Sequence, residues 1–280
     1  MWRVLCNPDN GRIFIQKLII MDKIYKELEI YGIPTTIIKK GDSIANEIAC
    51  SLDEKNLTLK DKDIIVLAES AVATSEGRIV SLENIKVSND ARLLASKYSI
   101  DEREMELILQ ECDEIIGGVP GAVLTITGGI LSPNAGIDAS NAPHGHVVLL
   151  PSNPTESAYR IRKVLENKYS CRIGVIIGDS RTQPLRLGCV GIALAVSGIN
   201  PVIDTRGLND LFNKPLTITY RALADNLVST AQLLMGEADE GIPCVLIRGL
   251  DEDIIEEPIE IPLFSTKECM YYNNIKSSVD

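Results

Sequence analysis

The chain has 280 residues, of which 45% are hydrophobic but only 4% aromatic, and it carries a formal charge of −11 at pH 7. That length accommodates one large domain or two smaller ones around a substantial aliphatic core, and the acidic balance argues against nucleic acid as a partner, since phosphate-backbone binders present a basic face. No apolar run approaches the roughly 18–20 residues of a membrane span, and seven widely spaced cysteines without C-x-x-C follow a reducing-compartment pattern. The expected location is therefore cytoplasmic, with no membrane partner.

Residues 1–20 show little patterning, and Met21 opens the first organised segment, so 1–20 is expected to be an extension and 21–249 the domain proper. "DIIVLAES" pairs the apolar run Ile64–Ala68 with an acidic flank and predicts a buried strand that delivers Glu69 and Ser70 to its carboxyl end. "EGR" (Glu76, Gly77, Arg78) follows in a predicted helix or turn, and 88–116 has helical spacing. "GAVLTIT" and "HVVLLP" predict strands on either side of "SPNAGIDASNAP", residues 132–143. In "SNPTESAYRIRKVLENKYS", Asn153 can cap, Pro154 suits the first turn and Glu156 lies three residues after the cap, which predicts a helix to about Lys168. "CRIGVIIGD" predicts a strand ending on Asp179, where α/β sites commonly lie. A long apolar helix, the acidic loop around Glu237, Asp239 and Glu240, and a strand follow; 250–280 is expected to be a peripheral acidic tail.

Three carboxylate loops, at Asp138, Asp179 and Glu237, form a candidate oxygen site for Mg²⁺ or Mn²⁺. The bland alternatives are a turn aspartate at 138, a capping aspartate at 179 and a solvated loop at 237. Three carboxylates after a helix C-terminus are disfavoured by its dipole unless a positive group is near. His144 and His146 alternate and could share a zinc ion, but no third histidine or neighbouring cysteine accompanies them. No glycine-rich phosphate cradle occurs. Arg181 and Arg186, just past Asp179, could bind phosphate or carboxylate, or be solvated.

"NAGIDASN", "EGR", "LPSNPTESAYRIR", "VIIGDS" with "RLGCVGIALAVSGI", and "ADNLVSTAQLLMGEADEGIPCVLIRG" together resemble the coenzyme F420-0:L-glutamate ligases, from about Tyr31 to Gly249. The resemblance implies an α+β fold of mixed β-sheets and packed helices in an intertwined homodimer. It also implies a ligase that uses GTP and a divalent cation to join L-glutamate to F420-0 or a similar anionic acceptor. By position, it implies Asp138, Asp179, Ser180 and Glu237 as metal residues, and Asp138, Asp179 and Arg186 as catalytic. Gly32, Ile33, Pro34, Ser70, Asn141, Met235, Gly236, Ala238, Asp239, Glu240, Gly241 and Ile242 become the nucleotide contacts. Two positions depart from the family's pattern: Thr74 stands where the family often has lysine, and Gln183 where it often has arginine. GTP and ATP, and F420-0 and another carboxylate acceptor, stay open as alternatives, as does a nucleotide-binding protein without ligase activity.

Overall fold

The computed structural model of the chain describes residues 27–276 together with the strands β1 (Trp2–Cys6) and β2 (Ile13–Lys17). Strand β3 (Glu29–Ile33) leads into helix α1 (Ile44–Glu54); β4 (Ile64–Ala68) runs directly into the short helix α2 (Glu69–Ser75). After β5 (Ile79–Ser81) come α3 (Asn89–Tyr98) and α4 (Glu102–Glu111), then β6 (Glu114–Val119), β7 (Ala122–Thr127), β8 (Ile130–Pro133) and β9 (His146–Val148). Helix α5 (Pro154–Tyr169) is followed by β10 (Gly174–Thr182), β11 (Cys189–Ser197), β12 (Val202–Asp204), β13 (Tyr220–Ala222), α6 (Leu223–Met235), β14 (Cys244–Arg248) and α7 (Met270–Lys276). The architecture is α+β with open mixed sheets, as expected.

The central sheet has the order β11-β10-β4-β14-β3, in which only β10 and β4 are parallel. Its middle strands are apolar without alternation because helices cover both faces. On one face, α1 and α5 pack Ile48, Leu52, Ile161 and Leu165 against Ile65, Leu67, Val175 and Ile177. On the other, α6 packs Leu227, Val228 and Ala231 against Ile64, Val66, Ile176 and Val245. Each such fully buried aliphatic side chain contributes about 1.5–3 kcal/mol relative to leaving it in water. Helix α1 buries Ile44, Ala45, Ile48, Ala49 and Leu52, a 3.6-residue stripe. Helix α5 begins as its sequence predicts, with the Asn153 side chain accepting the Glu156 N–H at 3.1 Å and Pro154 in the first turn.

A second sheet, β6-β7-β8, is backed by α3 and α4, with Met105, Ile108, Val123, Ile137 and Val147 in its own core. β5 pairs with β9 between the two sheets' chain segments.

Two terminal expectations meet the structure differently. β1 and β2 pair antiparallel from Trp2↔Lys17 to Cys6↔Ile13, so 1–20 contains two paired strands in a stretch of little sequence patterning. Residues 1, 7–12, 18–26 and 277–280, and with them the boundary at Met21, lie outside the described residues. The acidic tail is anchored at its start. Ile254, Ile259 and Ile261 pack on the α6 side of the core, and Glu256 accepts from Arg162, Lys163 and Arg172. Arg162, almost wholly buried, also holds Glu166 at 2.9 Å and the Ile255 carbonyl at 3.1 Å. The tail's isoleucines, spaced between acids, supply the apolar surface and the basic residues of α5 supply the charge.

Candidate functional site

β10 is longer than the strand beside it. Its last pair with β4 is Gly178↔Ala68, and Asp179 to Thr182 continue past the end of β4, paired only with β11. The backbone of β4 turns at that point into α2, whose first residue is Glu69. Asp179 and Glu69 therefore share the carboxyl ends of two parallel strands, the place where open α/β sheets present functional groups.

Burial, and then the charge of Asp179, push the Glu69 carboxyl up to about 8; Asp138 adds to the rise, while the backbone N–H groups of Glu69 and Ser70 oppose it. Asp179 is raised as well, chiefly by burial and further by Asp138, against the pull of Arg181 and the Ser180 N–H. Glu69 and Asp179 are thus coupled, and the pair retains a proton that isolated carboxyls would have lost.

Asp138 is exposed, but its backbone is pinned: its N–H donates to the Val148 carbonyl at 3.0 Å, and its carbonyl accepts the Val148 N–H at 2.8 Å. Its carboxylate accepts the Ser140 N–H at 2.8 Å and the Ser140 hydroxyl, the local turn geometry anticipated for an aspartate in this setting. Asn141 follows at φ +52°. The small residues before it have a packing reason rather than a ligand one. Ala135 is buried, and a Cβ on Gly136, which sits at φ +74°, would come within 2.8 Å of the Leu150 side chain.

Glu237 lies just beyond α6, where, among the described residues, neutral hydroxyl and amide donors, not a positive group, meet it. Ser180 Oγ donates to Glu237 Oε2 at 3.0 Å, and Gln232 Nε2 donates to Oε1. Ser180 points to the α6 face because side chains alternate along β10, while Asp179 and Arg181 share the other face. Glu240 turns back on its own loop, accepting the Ala238 N–H at 2.9 Å; these backbone donors hold its carboxyl below the ordinary range.

The predicted nucleotide segments converge. A Cβ on Gly32 would lie 3.1 Å from Ile242, and the Thr35 N–H donates to the Gly241 carbonyl at 3.3 Å, so Gly32–Pro34 meets the loop Met235–Ile242. The Ala68 N–H reaches the Pro243 carbonyl at 2.9 Å, which brings Ser70 and Glu69 beside the same loop.

Two arginines lie at the end of β10 and in the turn beyond it. Arg186 is exposed in the turn between β10 and β11, where its N–H donates to the Gln183 carbonyl at 3.1 Å. Arg181 is the arginine that meets Asp179, with Nε 2.7 Å from Oδ2. The two-residue period of a strand was the signal that could have selected it. Glu69 was likewise visible, as the acid ending a buried strand, but was not placed in the site. A lysine does approach α2 although Thr74 is not one: the Lys40 stem lies over Gly77.

Residues of "EGR" and "SNPTESAYR" interlock away from the carboxylates. The Ser157 hydroxyl and Arg160 donate to Glu76, and Arg78 donates to the Leu150 carbonyl at 3.0 Å and to Glu111. They border a cavity of about 620 Å³ lined by Ser43, Glu76, Asn153, Ser157 and Arg160. His146 Nδ1 lies 3.0 Å from the His144 carbonyl, so that ring is engaged locally.

All candidate metal donors are hard oxygens, which fit Mg²⁺ or Mn²⁺ rather than zinc. Among the described residues, no three His, Cys, Asp or Glu side chains already converge on one point. Asp138, Asp179 and Glu237 each hold a protein donor instead, Ser140, Arg181 and Ser180 respectively, that an ion would replace or share.

Comparison with known proteins adds an independent line. Residues 32–249 match the family model described as F420-0:Gamma-glutamyl ligase. Curated relatives named Coenzyme F420:L-glutamate ligase include one from Methanopyrus kandleri, 39% identical over 78% of this chain and 84% of that protein. Another, from Methanocaldococcus jannaschii, is 41% identical over 82% of this chain and 90% of its own length. A third, from Methanothermobacter thermautotrophicus, is 41% identical over 79% and 87% respectively.

Proposed function

The chain belongs to the F420-0:γ-glutamyl ligase family, and on that footing we propose that it joins L-glutamate to the carboxylate of F420-0, using GTP and a divalent cation. The observation that carries this reading is that the overhang of β10 presents Asp179, coupled to Glu69, on one face and Ser180, bonded to Glu237 of the loop Met235–Ile242, on the other.

Carboxylate and amine do not condense at neutral pH because hydroxide leaves poorly, so the acceptor must first be activated. In this reading an acceptor oxygen attacks the γ-phosphorus of GTP, GDP departs, and an acyl phosphate results. The glutamate amine then attacks the acyl carbon, inorganic phosphate leaves, and the nitrogen gives up its proton. The main-chain groups of Gly32–Pro34 and Met235–Ile242, with Ser70 and Asn141, bind the nucleotide. Asp138, Asp179, Ser180 and Glu237 would hold the cation, which when bound supplies positive charge to offset that of the phosphate oxygens. Glu69 and Asp179 together keep a proton within the site near neutral pH.

We further assign the protein to the cytoplasm as a homodimer. No helix of the described residues is long and apolar enough to cross a membrane. Leu185, Leu187, Leu211, Phe212 and Ile218 are almost fully exposed, an apolar surface of the kind that a second subunit covers. A different carboxylate acceptor is the second reading, favoured by the exposed β10–β11 turn with Gln183 and Arg186. The test incubates the protein with L-glutamate, Mn²⁺, either GTP or ATP, and either F420-0 or simple carboxylates, and weighs the products. F420-0 should gain one glutamyl residue with GTP; glutamyl transfer only to other acceptors would select the second reading.

A further inference from the structure

Arg181 is the one candidate cation that the fold takes out of water beside the carboxylates. Its side chain is only 4% exposed. Nε donates to Asp179 Oδ2 at 2.7 Å and Nη1 donates to the Leu131 carbonyl at 3.0 Å. Leu131 belongs to β8, which leads through a single 3₁₀ turn, Asn134–Gly136, and Ile137 into Asp138. A single guanidinium thus grips both the strand that carries Asp179 and the sheet from which Asp138 emerges. Its third nitrogen, Nη2, is buried and meets no partner among the described residues. Such an arrangement is a poor source of stability, because desolvation offsets the attraction of a buried ion pair and an unpaired donor adds to the cost. What a planar, pre-organised fork does provide is fixed geometry between the groups it holds.

We propose that Arg181 is a positioning residue that sets the separation of Asp138 from Asp179 by tying β8 to the overhang of β10. The tie stands on the two hydrogen bonds; its consequence for the cation rests on the reading of these aspartates as ligands. Lysine at 181 would keep the charge but lose the fork, so Arg181→Lys separates geometry from electrostatics.

Amide hydrogen exchange of the full chain and Mn²⁺ binding followed by electron paramagnetic resonance, both without nucleotide, test it on wild type, Arg181→Lys and Asp179→Asn. In Arg181→Lys, exchange over Ala122–Thr127 and Ile130–Pro133 should rise while Ile64–Ala68 stays as in wild type. Mn²⁺ should bind about tenfold more weakly, the scale of losing a group that orients a ligand. Unchanged exchange and unchanged Mn²⁺ affinity in Arg181→Lys, with Mn²⁺ lost in Asp179→Asn, overturn the proposal and leave the ligand reading standing. A rise in exchange that includes Ile64–Ala68 also overturns it, marking the arginine as a general stabiliser. Wild-type Mn²⁺ binding in Asp179→Asn removes the ligand reading instead, and the exchange pattern then decides the tie by itself.

Discussion

Ser180 and Glu237, 57 residues apart in sequence, are joined by a 3.0 Å hydrogen bond that closes the loop after α6 onto the end of β10. Both side chains are exposed, so the bond contributes little to folding, and its worth lies in bringing two oxygen donors to one place. Glu237→Gln and Ser180→Ala should each lower glutamyl transfer by about 10- to 100-fold. Their melting temperatures should stay within a few degrees of wild type, as exposed substitutions shift stability by less than about 0.5 kcal/mol. Full activity in Glu237→Gln would remove that residue from the site.

Glu69 gives the protein a pH signature. Its folded pKa, about 8, lies above its unfolded value, so between the two the folded state binds the extra proton. Stability attributable to this group is fully present below the unfolded value and is lost as pH rises towards 8. Wild type should melt at a lower temperature at pH 8.5 than at pH 6, and Glu69→Gln should flatten that slope. Cation binding should release a proton near pH 7 and release progressively less above pH 9. Calorimetry in buffers of different ionisation enthalpy measures that release directly.

Gly178 precedes Asp179 and lies under α6. A Cβ there would collide with the Val228 side chain. Gly178→Ala should cost about 1–3 kcal/mol of unfolding free energy, the usual penalty of overpacking. Val228→Ala in the same chain should recover part of that loss, as urea titration of the single and double variants would show.

The exposed apolar residues of the β12–β13 segment test the assembly. Leu211→Glu with Phe212→Glu should convert a dimer to a monomer in light scattering, with the far-ultraviolet circular dichroism unchanged. A monomeric wild type would overturn the dimer assignment.

Much of the site was legible because charge interrupts apolar strands at few places. An acid after Ile64–Ala68 and another after Gly174–Gly178 stand out in the sequence, although the parallel pairing of these strands and the continuation of β10 to Thr182 emerge only in the fold. The start of α5 was legible from Asn153, Pro154 and Glu156, whose chemistry is local. Helix α1 carried a readable stripe, Ile44 to Leu52, that was passed over. Other features depend on distant partners. Neither the bond from Arg181 to the Leu131 carbonyl nor the anchoring of the tail by Arg162 and Glu256 can be read without the fold that brings those segments together. That Gly136 must be small is visible only once the fold lays the Leu150 side chain over it.

The reciprocal hydrogen bonds between Asp138 and Val148 close residues 139–147 into a loop clamped at its base. A clamp at the base decouples what lies above it. Length and composition between Ala139 and Gly145, including Asn141 and His144, can change while the aspartate keeps its backbone anchor, with His146 and Val147 held in β9. On the proposed reading of Asn141 as a nucleotide contact, the part of the site that touches the nucleotide can be altered there without disturbing the backbone anchor of Asp138.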